Sequence, residues 1–171
     1  MRTMRAILTA LCALAALVLA EPSFADGPKL WVDADARLAN YHAVYIAPVL
    51  TDTGQPAASE YDRDLRGRIR SGLASTKLPP VEAEKGPGVL VLQVYLMKVD
   101  PGNPARMIAG VAPSQCVVRT TLRDSETREL VGDMAASAYA APGGIIGLFA
   151  GNSALASVAD DIVSAINDRA H

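Results

Sequence analysis

Read for its alternation of apolar and polar positions, the chain is dominated by the stretch from Gly88 to Asp100. Leu90, Leu92, Val94 and Leu96 form an unbroken apolar row; Val89, Val91, Gln93, Tyr95 and Met97 form a second row with one polar break. A period of two, enriched in β-branched and aromatic residues, predicts a strand, and apolarity in both rows predicts an interior strand covered on both faces. Such a strand needs backbone partners on either side and layers over its faces, so the remaining elements are expected to fold around it.

The same patterning places those elements. Residues 26 to 42 lack a sustained period and read as a lead-in that lays Trp31, Leu38 and Tyr41 on the domain. Val44 to Val49 predicts a first strand, whose pairing ends at Pro48 or lies at an edge there. Thr51 to Ala57, with Gly54 and Pro56, reads as a loop. Ser59 is the expected N-cap of a helix over about Glu60 to Ser75. Tyr61, Leu65, Ile69 and Leu73 make its apolar stripe, and Asp62 with Arg66 and Asp64 with Arg68 are i,i+4 pairs on a solvated face. Val81 to Glu84 reads as a short edge strand.

Beyond the central strand, Pro101-Gly102-Asn103-Pro104 forces a turn, and Arg106 to Val111 is strand-like up to a kink at Pro113. Gln115 to Arg123 and Arg128 to Ala140 both alternate and predict an antiparallel hairpin. The hydrophobic matches pair Leu122 with Leu130, Val118 with Met134 and Cys116 with Ala136. The charge matches put Arg123 opposite Glu129 and Arg119 opposite Asp133. Asn152 or Ser153 then caps a last helix burying Leu155, Val158, Ile162, Ala165 and Ile166, with Asp160, Asp161, Ser164 and Asp168 outward. The expected fold is α+β: a single mixed, mostly antiparallel sheet of about five strands with two helices packed on one face.

Composition changes this picture at the N-terminus. Of the 171 residues, the first 25 read as a cleaved Sec signal peptide: Arg2 and Arg5, an uncharged apolar run from Ala6 to Ala20, then Ser23-Phe24-Ala25. The apolar run is shorter than the ~20 residues of a membrane span. Cys12 does not make it a lipoprotein signal, because no small residue stands just before it and the apolar run continues past it. Residues 26–171 are then one domain of 146 residues, periplasmic or secreted and not lipidated, long enough to bury a core without staples. It carries 14 basic and 17 acidic residues with no basic stripe, which argues against nucleic acid. One cysteine remains, Cys116, so no internal disulfide forms despite export.

No residue set names a reaction. His42 is the one histidine away from the terminus, and no Gly-x-Ser-x-Gly elbow accompanies it. Cys116 falls on the predicted core face, where a thiol behaves as a small inert hydrophobe; pairing between chains is the alternative. Asp33 with Asp35 and Asp160 with Asp161 read as caps or solvated faces, and adjacent helical residues point about 100° apart. Metal-ligand spacings and phosphate-cradling loops are missing, so no catalytic residue, metal or cofactor is expected. The unusual feature is Pro142 to Gly151, inside an uncharged stretch from Met134 to Ala159. Its apolar residues Ile145, Ile146, Leu148 and Phe149 either tuck under the domain or form a patch that meets a membrane surface or another subunit.

The segments Trp31-Val32-Asp33, Leu38, Tyr41, Val44 to Val49 and Gly86 to Leu90 resemble an uncharacterised bacterial cell-envelope family, a domain of unknown function found in exported proteins and lipoproteins. Asp100 to Arg106, Leu122 to Thr127 and the glycine-rich loop resemble a related family of the same status. Such families commonly carry a lipid-modified cysteine, which this leader lacks, and the resemblance implies no catalytic residues. The function expected is a non-catalytic exported module, periplasmic or envelope-associated, that binds a partner through a sheet edge and the glycine-rich loop. That partner is an envelope protein or a membrane surface, and the oligomeric state stays open. A secreted hydrolase with a dispersed site, or a carrier of hydrophobic small molecules, are the alternatives. An enzyme would show convergent polar groups in a pocket near Tyr41 and His42; a carrier would show a closed apolar cavity.

Overall fold

The computed structural model describes residues 30–32, 37–100, 115–139 and 150–170. The expected leader at 1–25, the segment 106–111 expected to be strand-like, and Ile145, Ile146, Leu148 and Phe149 lie outside the described residues.

The described elements run β1 (Trp31–Val32), a 3₁₀ turn (Leu38–Asn40), β2 (Ala43–Ile46), β3 (Leu50–Thr51), α1 (Ser59–Leu73), β4 (Pro80–Val81), β5 (Val89–Asp100), β6 (Gln115–Asp124), β7 (Leu130–Tyr139) and α2 (Ala150–Arg169). They make the expected α+β fold. One mixed sheet has the order β1-β7-β6-β5-β2-β4, with β3 also paired to β5. The long ladders, β5 with β6 and β6 with β7, are antiparallel, as is β1 with β7; the short strands β2, β3 and β4 join in parallel. Three of the strands are only two residues long, too short to leave a period in the sequence. Parallel pairing of β2 with β5 requires a crossover, and α1 supplies it.

Both helices pack on one face. The even row of β5 (Leu90, Leu92, Val94, Leu96) is buried there with Cys116, Val118, Thr120 and Leu122 of β6, and Met134, Ala136 and Ala138 of β7. Leu65, Ile69 and Leu73 of α1 are fully buried and Tyr61 packs partly against them, the predicted stripe. Each such Leu or Ile side chain contributes about 1.5–3 kcal/mol. From α2, Leu155, Val158, Ala159, Ile162 and Ile166 close the core.

Four expectations need correction. First, β5 is interior but not covered throughout on its second face: Val89 and Val91 are buried, whereas Met97 is 45% exposed, because both helices took the other side. Second, Ser59 is the first residue of α1, and Ala58 holds the cap position with no side-chain bond. The carboxylate of Asp62 is turned elsewhere: it accepts the Val49 N–H at 2.8 Å, while Arg66 donates to the Ile46 carbonyl at 3.3 Å. The charged face of α1 thus ties the helix to the end of β2.

Third, the hairpin register is shifted by two: Thr120 faces Met134, Val118 faces Ala136 and Cys116 faces Ala138. The turn takes in one more residue on the β7 side than the charge matches implied. Arg128 sits at φ 64, and the ladder is irregular between Leu122 and Arg123. A slip of two preserves faces, so the buried row survives. Near the turn it does not: Val131 is buried where Leu130 was expected, and Leu130 is 37% exposed. Fourth, Trp31 lies on the edge strand and is 58% exposed, while Leu30 beside it goes into the core.

Candidate interaction surface

Side chains of a strand alternate between faces, so the register fixes which residues share the helix-free side. Across it run Gln93, Thr121, Asp133 and Trp31; then Tyr95, Arg119 and Ala135; then Lys98, Val117 and Ser137; then Gln115 and Tyr139. The exposed large hydrophobic side chains among the described residues are Trp31, Met97, Leu130 and Tyr139. All four are on this side. Scattered single apolar residues on a surface are ordinary, whereas a cluster on one face is a contact surface in waiting. Trp31, Met97, Val117 and Leu130 line one shallow trough together with Arg119 and Asp133.

Two opposite charges on this face are matched with each other. The Arg119 guanidinium reaches diagonally to Asp133, its Nε donating to the carboxylate oxygens at 3.1 and 3.2 Å and its Nη2 also donating to Oδ2. The pairing partner of Arg119 in the ladder is Ala135, so the ion pair forms two residues off the expected register. The guanidinium holds the Asp133 carboxyl below the usual carboxylate range, and the carboxylate raises Arg119 in return. Tyr139 is braced by Gln115, whose Nε2 donates to the phenol oxygen at 2.7 Å.

Among the described residues, the edge beside this face is paired over only part of its length. β6 accompanies β7 along its whole length, but on the other side β1 meets only Gly132 and Asp133. Gly132 permits that approach: a Cβ there would stand 3.0 Å from the Trp31 carbonyl oxygen.

The other candidate residues are placed as follows. Cys116 is 1% exposed on the core face, and burial pushes its thiol up to about 11, the environment of an inert hydrophobe. The exposed His42 donates its backbone N–H to the Gly88 carbonyl, and its imidazole occupies the space a Cβ on Gly88 would need, with Nδ1 at 2.5 Å. Tyr41 lies beside Asp124, a residue of the β6–β7 turn that also accepts the Glu126 and Thr127 N–H groups at 2.8 Å. Asp124 is thereby held low, chiefly by the Thr127 N–H. These groups fix a turn. A second trough, along α1 and α2, is lined by Glu60, Arg63, Asp64, Arg68 and Asp160, with Asp64 and Arg68 paired. Among the described residues no three His, Cys, Asp or Glu side chains converge on a metal position, and no helix is long and apolar enough to cross a membrane. The residues singled out from sequence, Ile145, Ile146, Leu148 and Phe149, lie outside the described residues. Sequence reasoning missed Trp31, Met97, Leu130 and Tyr139 as a group, because only the register brings them to one face.

Solved structures share the fold at low identity. A PelC dodecamer from Paraburkholderia phytofirmans is similar over 82% of this chain and 98% of that one, with a TM-score of 0.55 and 14% identity. Protein XCC0632 from Xanthomonas campestris matches over 72% of this chain and 82% of its own, at a TM-score of 0.48 and 12% identity. A minor lipoprotein from Acinetobacter baumannii matches over 75% and 94%, at 0.47 and 11%. No curated protein matches the sequence. A family model described as a protein of unknown function, DUF3313, matches residues 16–143, well over half of the chain. The chain therefore belongs to the DUF3313 family.

Proposed function

We propose that this chain is a non-catalytic, exported module of the cell envelope that binds a protein partner at the open edge of its sheet and the helix-free face beside it. One observation carries this reading: Trp31, Met97 and Leu130 line one trough on that face, with Tyr139 further along it on the part of β7 that has no second strand partner among the described residues. Arg119 and Asp133 on that face are paired with each other, so covering this pair strands neither ion. The leader read from residues 1–25 supports export. An assembly role fits the fold as well, since the PelC protein of similar fold is a dodecamer. The apolar run Ile145, Ile146, Leu148 and Phe149 is the candidate for a second contact, with a membrane surface or a subunit.

The test is capture from periplasmic and envelope fractions by the tagged mature protein, compared with Trp31→Ala/Tyr139→Ala and with Ala135→Lys. The expected result is a specific protein retained by wild type and reduced about tenfold by either change, a difference of ~1.4 kcal/mol. Equal capture by all three removes the face and edge from the function. For the loop, liposome co-sedimentation and oligomer size of Ile146→Asp/Phe149→Asp are compared with wild type, and equal behaviour removes it.

A further inference from the structure

We draw no further inference here: the strongest candidate, the shallow apolar trough lined by Trp31, Met97, Val117 and Leu130 on the helix-free face of the sheet, belongs to the surface already described, and nothing in the structure shows what covers it.

Discussion

Gly72 of α1 lies directly against Val163 of α2: a Cβ placed on Gly72 would stand 2.7 Å from Val163 Cγ2. The helices approach closely because one of them has no side chain there. The contact atoms belong to a β-branched residue with little rotamer freedom on a helix, so it cannot swing aside cheaply. Gly72→Ala gains up to about 1 kcal/mol of helix propensity but meets an overpacking cost of ~1–3 kcal/mol. The expected sum is a loss of stability. Val163→Ala in the same chain should return Gly72→Ala to neutral or better, and denaturant unfolding of the four-member cycle reads the coupling directly.

Thr120 makes the opposite kind of prediction. It is 1% exposed on the helix side of β6, and its hydroxyl has no hydrogen-bond partner among the described residues. An unpaired buried hydroxyl costs ~1–3 kcal/mol relative to one that is satisfied. Thr120→Val keeps the branched shape and removes the polar atom. Its midpoint of unfolding should rise, or at worst hold, and a fall of more than about 1 kcal/mol would mean the hydroxyl is satisfied after all.

The two sides of the fold differ in how much of them the sequence discloses. The buried rows of β5 and β6 and the Leu65-Ile69-Leu73 stripe are written in periods of two and four, because burial on one face enforces them. The register of β6 against β7 is not written that way. Moving it by two residues leaves every face intact, so hydrophobic matching cannot tell Ala136 from Ala138 as the partner of Cys116. What decides it is the conformation of the turn, where Arg128 enters the left-handed region that glycine or asparagine would have signalled. The interaction surface was hidden for the same reason. Trp31, Met97, Leu130 and Tyr139 come from three strands, β1, β5 and the two ends of β7, and only the ladder brings them to one face.

Cys116 tests the core itself. With 1% of its surface exposed and its thiol pushed up to about 11 by burial, it is both hidden and protonated at neutral pH. A thiol reagent at pH 8 should label the native protein orders of magnitude more slowly than the denatured protein, since attack needs an exposed thiolate. Native labelling at the denatured rate would place β6 outside the core. Cys116→Ser should cost about 1–3 kcal/mol by burying a hydroxyl in apolar surroundings, and Cys116→Ala less.

Tyr41 gives the fold an alkaline limit. Its phenol is pushed up to about 12, first by burial and then by the Asp124 carboxylate beside it, with Asp124 and Glu129 both opposing a phenolate. The folded protein therefore favours the neutral phenol more than the unfolded chain does, whose tyrosines ionise near ~10. By linkage, the stability gained from this preference is whole below ~10 and is lost as pH climbs from there towards about 12. Two measurements check the sign. Phenolate absorbance of the native protein should show one of the five tyrosines ionising last, and Tyr41→Phe should remove that late step. Chemical denaturation should show stability falling through the same window in wild type and less steeply in Tyr41→Phe. Because Asp124 also holds the β6–β7 turn through Glu126 and Thr127, loss of the phenol should loosen that turn, seen as faster amide exchange at those two residues. If Tyr41 titrates with the other tyrosines, its place beside Asp124 does not anchor the turn, and the slope of stability against alkaline pH must come from elsewhere.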